Sequence, residues 1–253
     1  MRRRTLLGSI AAAGFAWCGA DEEKLWKHYL DWHRRQSAAA PDARHAYLQS
    51  LRESGLPETE VQSRARVLER LLEERRHELH PLFFDRTYAA DAPRFNTAPN
   101  ALLAETVRDL PPGRALDVHM GQGRNAVFLA AKGWDVTGFD FSAEGVRAAR
   151  EAAARAGVKL AAVVARHEDF DFGRARWDLV VMSYTWVPLR SGPYVARILE
   201  SLKPGGTLVF EHLMDESGSE RGAAWLPRPN ELFDVFGQLR VLRYEDAPGP
   251  ADR

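Results

Sequence analysis

Apolar residues recur at helical spacing through the first third of the chain, and after about residue 94 they switch to short runs separated by glycine turns. Within 21–94, Leu25, Tyr29 and Trp32 share one helical face, and Val61, Ala65, Leu68, Leu72 and Leu79 share another. Gly55, then Pro57 with Glu58 and Glu60, marks a stop and a restart, because glycine suits a helix C-terminus while proline and acids suit the next N-terminus. From Ala115 onward the pattern predicts strands at 115–119, 135–140, 159–164, 177–182, 207–212 and 239–244. Between and before them it predicts helices near 100–109, 124–132, 143–156, 193–202 and 229–236. Such alternation predicts an α/β fold, a mostly parallel sheet with helices on both faces. Gly133 and Gly157 stand where two helices should close, and Ser142 where one should be capped.

Length and composition narrow the picture. At 253 residues the chain can bury one sizeable core, which fits a leader at 1–20, a helical extension at 21–94 and an α/β domain at 95–253. Lys plus Arg and Asp plus Glu both number 35, so there is no overall basic field to hold a nucleic-acid backbone. A small or neutral partner is expected instead. Cys18 is the sole cysteine, which excludes an intramolecular disulfide and a multi-cysteine zinc site. His77 and His80 are three apart at the expected end of a helix, where histidines interact with terminal carbonyls, and no metal is expected there. At the N-terminus, Arg2, Arg3 and Arg4 precede Leu6-Leu7 and a small-residue apolar run that ends in Cys18-Gly19-Ala20. This segment resembles a twin-arginine secretory signal peptide and implies export, with a cytoplasmic location as the alternative. It is glycine-interrupted and shorter than the roughly 20 residues of a membrane span, so no stable membrane insertion is expected after its removal.

The chemistry concentrates in Leu116-Asp117-Val118-His119-Met120-Gly121-Gln122-Gly123-Arg124-Asn125-Ala126, which follows a predicted strand and opens a helix. Gly121 and Gly123 let the main chain approach a ligand at the C-terminal edge of the sheet, where open parallel sheets bind. Asp117 is a carboxylate among apolar neighbours, costly unless a ligand ammonium or backbone amides donate to it. Asp140 ends the second strand, 23 positions on, where an acid can accept from both hydroxyls of a ribose. Glu168-Asp169-Phe170 offers an acceptor for an exocyclic amine and an apolar wall for a base. Ser183-Tyr184-Thr185-Trp186 forms a hydroxyl- and aromatic-rich lip, and Lys203-Pro204-Gly205-Gly206 turns the chain into the fifth strand.

In this order the elements resemble class I S-adenosylmethionine-dependent methyltransferases. The likeness is nearest to the tellurite-resistance-like, small-molecule branch, through Gly121-Gln122-Gly123-Arg124-Asn125, Gly138-Phe139-Asp140 and Lys203-Pro204-Gly205-Gly206, over roughly residues 96 to 244. It implies a Rossmann-like fold, S-adenosyl-L-methionine as methyl donor and an unidentified small acceptor. Asp117, Gly121 and Gly123 would then hold the methionine part, with His119 and Asn125 in the same loop. Asp140 would take the ribose, Asp169 and Phe170 the adenine, with Phe141 beside them, and Ser183 and Tyr184 would lie near the methyl group. Phe95-Asn96-Thr97-Ala98-Pro99 matches the lead-in that covers the cofactor.

Two departures stand out. His119 takes the place of the first glycine of the family's loop, so its side chain either crowds the cofactor or donates to its carboxylate. The chain also ends soon after the sixth predicted strand, so the family's seventh strand is expected to be missing and the sheet to keep an unpaired edge. No general base is identified; Tyr184, His212 and His119 are candidates because they fall at or near strand C-termini, although His212 also reads as a plain strand-end histidine. Two other function classes fit the pattern: a non-catalytic cofactor-binding module, and an NAD(P)-dependent oxidoreductase through Gly121-x-Gly123-x-x-Ala126.

Overall fold

The computed structural model describes residues 18–36, 42–75, 78–89, 95–185, 188–214 and 226–247. The leader reading therefore falls outside the described residues up to 17, as do His77, Trp186 and the C-terminal 248–253. The chain divides into two compact units, one ending at Leu82 and one beginning at Phe83.

The first unit contains α1 (Gly19–Arg35), α2 (Ala43–Glu53) and α3 (Glu58–Glu74). Their apolar faces meet in a core of Leu25, Trp26 and Tyr29 from α1, Tyr47, Leu48 and Leu51 from α2, and Val61, Ala65, Leu68 and Leu71 from α3. Trp26 and Leu71 replace Trp32 and Leu72 of the expected faces; Trp32 and Leu72 are only partly buried. Tyr47 lies at the centre, edge-on to Tyr29 with centroids 5.1 Å apart, and its hydroxyl pairs with His28 Nδ1 at 2.8 Å. Burial raises the pKa of both Tyr29 and Tyr47 to about 12. The sequence pattern marked the break at Gly55–Pro57 but not the one before α2, where the Asp42 side chain accepts from His45 N at 2.8 Å and starts a new helix. A further correction concerns His80: α3 ends at Glu74, and His80 opens the next helix, α4 (His80–Ala89), instead of closing the preceding one. Among the described residues no cluster of metal-ligating side chains forms, and no helix is long and apolar enough to cross a membrane.

The second unit is built on a five-stranded, all-parallel sheet in the order β3-β2-β1-β4-β5. The strands are β1 (Arg114–Val118), β2 (Asp135–Asp140), β3 (Ala161–Val164), β4 (Trp177–Ser183) and β5 (Leu202–Glu211). The helices are α5 (Ala101–Thr106), α6 (Arg124–Ala131), α7 (Ala143–Arg155), α8 (Gly192–Ser201) and α9 (Glu231–Val235). Successive residues of a strand point to opposite faces, and the central strands feed two cores. Leu116, Val118, Val180 and Met182 pack with Tyr194, Val195 and Ile198 of α8. Ala115, Leu179 and Val181 pack with Leu103 of α5, Ala126 and Leu129 of α6, and Val146 and Ala149 of α7. Burial on both faces is why these strands read as unbroken apolar runs. Gly133 and Gly157 close α6 and α7 at φ +90° and +67°, and Ser142 Oγ caps α7 by accepting from Gly145 N at 3.0 Å. The same hydroxyl donates to Asp85 Oδ1 at 2.6 Å. Ser142→Ala is expected to lower stability by about 1–2 kcal/mol, a typical cap loss, read as a shift of the urea midpoint at constant slope.

The sheet differs from expectation at one end. Residues 239–244 form no strand, and among the described residues none follows Glu211. The stretch is held by side-chain contacts instead of a ladder: Arg243 pairs with Glu105 of α5 at 2.7 Å, and Tyr244 packs on Phe233 of α9 at 4.3 Å. Val241 and Leu242 are left exposed, so no apolar face drives pairing along β5. The stretch Lys203-Pro204-Gly205-Gly206 lies inside β5 instead of before it, with a register irregularity opposite Trp177–Leu179.

Candidate functional site

The site is assembled where β1, β2 and β4 end. After Val118 the chain turns through His119 at φ +53°, Gly121 at +53° and Gly123 at +82°, and Gly123 caps α6. The glycines are required by contact as well as by conformation. A Cβ on Gly121 would lie 2.3 Å from Tyr88 Oη, and one on Gly123 would lie 2.7 Å from Ala149 Cβ, so the loop takes a tyrosine ring from α4 and lets α6 touch α7.

Two carboxylates stand behind this loop. Asp140 is 3% exposed; its Oδ2 accepts from Gly121 N at 2.9 Å and its Oδ1 from Ser142 N at 2.8 Å, so it braces the loop and the start of α7 together. Burial pushes its pKa up to about 6, against those two amides, which favour the anion. Asp117 is 2% exposed and more isolated: burial raises its pKa to about 7, opposed by the Ala126 amide, and its Oδ2 has no hydrogen-bond partner among the described residues. Ser183 Oγ and Thr185 Oγ1, at the end of β4 beside β1, are likewise buried with no partner among the described residues. Buried polar atoms without partners are uncommon and costly. Here three of them belong to residues at or near the C-terminal ends of the adjacent strands β1 and β4, the edge at which parallel sheets bind ligands.

The other expected residues divide. Asn125 is buried and its Oδ1 accepts from Asn100 N at 2.8 Å, which ties the lead-in segment to α6. Gln122 donates to Asn96 O at 3.2 Å and Arg124 to Ala98 O at 3.2 Å, so the loop holds residues 95–100 along its length. Phe141 packs edge-on to Phe84 at 5.5 Å and to His119 at 5.2 Å. Asp169 is exposed, whereas Phe170 is buried and stacks on Phe139 at 4.1 Å within the core. Tyr184, at φ +54°, donates through Oη to Glu211 Oε1 at 2.6 Å, and Asn100 Nδ2 donates to the same oxygen at 3.0 Å. The two ring nitrogens of His212 face Leu213 O at 2.9 Å and Thr185 O at 3.1 Å, while burial lowers its pKa, so the ring is engaged by main chain.

Three participants were not singled out from the sequence. Tyr88 reaches the loop from α4, its phenol held well above the usual range by burial and then by the Asp140 charge. Asp85 accepts from Ser142, and Glu211 gathers Asn100 and Tyr184. The signal for Tyr88 was its i,i+4 pairing with Phe84, whose rings stack at 6.0 Å. Glu211 was an acid at the end of an apolar strand, the same signal that marked Asp140.

Comparison with known proteins places this arrangement. Residues 115–206 match the family described as "Methyltransferase domain". A curated relative, Hemagglutinin 1 of Eikenella corrodens, is 28% identical over 161 residues, which cover 60% of this chain and 52% of that protein; the chain thus spans about half the length of that relative. Among solved structures, TehB from Haemophilus influenzae superposes with a TM-score of 0.54 at 19% identity, covering 60% of this chain and 55% of that one. A protein described by the conversion of a disulfide bond into a thioacetal group during echinomycin biosynthesis superposes at 0.50 with 23% identity, covering 61% of this chain and 74% of that one. The shared feature is the Rossmann-like α/β fold.

Proposed function

We propose that this chain, whose residues 115–206 match the methyltransferase-domain family and whose sheet has the Rossmann-like order, is a class I methyltransferase that binds S-adenosyl-L-methionine and delivers its methyl group to a small acceptor. The observation that carries the reading is the Asp117 carboxylate, buried near the C-terminal end of β1 and with Oδ2 lacking a partner among the described residues. An ammonium group of a ligand supplies what that oxygen lacks. Asp140, already fixed by Gly121 N and Ser142 N, keeps further lone pairs for a ribose diol. Phe141 and Asp169 flank the place of the base, and Ser183 and Tyr184 lie at the end of β4 toward the acceptor.

Held by Asp117, Asp140 and the Gly121–Gly123 bend, the cofactor would supply a sulfonium methyl group as the electrophile for transfer. The chain's task in such a reaction is mainly positioning. The Gly121–Gly123 bend and the 95–100 segment held by Gln122 and Arg124 fix the cofactor side. The Tyr184–Glu211 pair offers a hydroxyl next to a carboxylate, which can take a proton from an acceptor that carries one. Export through the leader-like N-terminus belongs to the same proposal, as does the small-molecule nature of the acceptor. The test is calorimetric titration of the purified chain with S-adenosylmethionine and S-adenosylhomocysteine, with NADH as control. Saturable, one-to-one uptake of the first two is expected; heat with NADH alone, or with none of the three, discards the reading.

A further inference from the structure

His119 is the one non-glycine residue inside the loop turn that adopts a left-handed backbone. Side chains adopt that conformation at a cost, and such outliers persist where the surroundings or a function hold them. Its ring is packed on three sides: against Phe139 at 5.5 Å, Phe141 at 5.2 Å and His167 at 5.6 Å between centroids. The residue as a whole is partly exposed, yet both ring nitrogens are shut away from solvent and neither has a hydrogen-bond partner among the described residues. Burial pushes its pKa down to about 3, with His167 as a smaller cause, so the ring is neutral and presents one N–H donor and one lone pair. Backbone strain and two unmet polar atoms at one residue all disfavour it in the folded chain, whereas glycine at this turn would have none of them.

The location says what could repay this. Phe141 directly follows Asp140, the acid placed for a ribose, and His167 directly precedes Glu168-Asp169 after β3. His119 therefore occupies the corner between the sugar acid and the loop that would flank a base. We infer that His119 is a ligand-reading residue, whose buried imidazole hydrogen-bonds the nucleoside portion of the bound cofactor. Adenine, with ring-nitrogen acceptors beside an amino donor, is complementary to either ring nitrogen of a neutral imidazole, one a donor and the other an acceptor. The inference rests on the proposed cofactor and deepens it. It gives this loop a base-contacting side chain where a glycine would leave only backbone.

The experiment uses the full chain and three variants, His119→Phe, His119→Gly and His119→Asn, titrated with S-adenosylhomocysteine and with 5′-methylthioadenosine, which keeps the nucleoside but lacks the amino acid. Phenylalanine preserves the flat ring without nitrogens, and asparagine tolerates the left-handed turn while restoring a donor and an acceptor. His119→Phe and His119→Gly are expected to weaken both ligands at least tenfold, with His119→Asn recovering part of the loss and all three melting as folded proteins. Unchanged or tighter binding by His119→Phe or His119→Gly overturns the inference, since the ring would then merely crowd the pocket. A loss confined to S-adenosylhomocysteine also overturns it, because the ring would then contact the amino-acid end. Failure of the unaltered chain to bind either compound would strike the cofactor reading itself.

Discussion

Asp140→Ala is expected to abolish uptake of S-adenosylmethionine and to lower the stability of the ligand-free chain by about 2–6 kcal/mol. The second figure follows from what the carboxylate holds. Gly121 N and Ser142 N both donate to it in a region closed to solvent, and each buried amide left without an acceptor costs about 1–3 kcal/mol. The loss spreads, because Gly121 carries the bend that Tyr88 packs on, and the Ser142 hydroxyl caps α7 while donating to Asp85. Asp140→Asn should fall between, since one oxygen remains while the new amide group meets a backbone N–H head-on. Urea unfolding and calorimetry on the same samples separate the two effects. An alanine variant that unfolds at the midpoint of the unaltered chain and still binds would remove Asp140 from both roles.

The two parts of this site were unequally legible in the sequence. β2 runs Asp135–Asp140 as expected, because an apolar strand bounded by a helix-closing glycine and a capping serine leaves little choice of register. Asp117 and Asp140 announced themselves as acids in apolar strands, a placement that composition alone makes expensive. Tyr88 was hidden because it lies on a helix that reads as part of the N-terminal extension, and the helical period shows which residues share a face but not what that face meets. The contrast between Asp169 and Phe170 has a similar origin. Adjacent residues after a strand turn opposite ways, and only the stack on Phe139 reveals that Phe170 belongs to the core. The expected strand at 239–244 failed for a different reason: its apolar residues satisfied a local pattern, but a strand needs a ladder with a partner edge, and here Val241 and Leu242 stay exposed while Arg243 pairs with Glu105.

The second large effect concerns pH. Burial raises Asp117 to about 7 and Asp140 to about 6, against an unfolded-state value near 3.8. The folded chain therefore holds these protons more tightly than the unfolded chain does. Their contribution to stability is fully present below pH 3.8 and is lost as pH climbs through 6 and 7, so through these two groups the ligand-free protein should weaken across that window. Binding a ligand with an ammonium group inverts the preference, since that cation favours ionised Asp117. Below pH 7 uptake of S-adenosylmethionine must then expel a proton, and Asp117 alone should raise affinity about 50-fold between pH 5 and 7, one proton's worth of linkage for a group titrating near 7. Titrations at pH 6 in buffers of different ionisation heat would show the release directly. In Asp117→Asn the affinity at pH 7 should drop and its rise from pH 5 should shrink to the part due to Asp140. If the unaltered chain binds with the same affinity at pH 5 and 7 and releases no proton at pH 6, Asp117 does not face the ammonium group, and the buried carboxylate must serve something other than this cofactor.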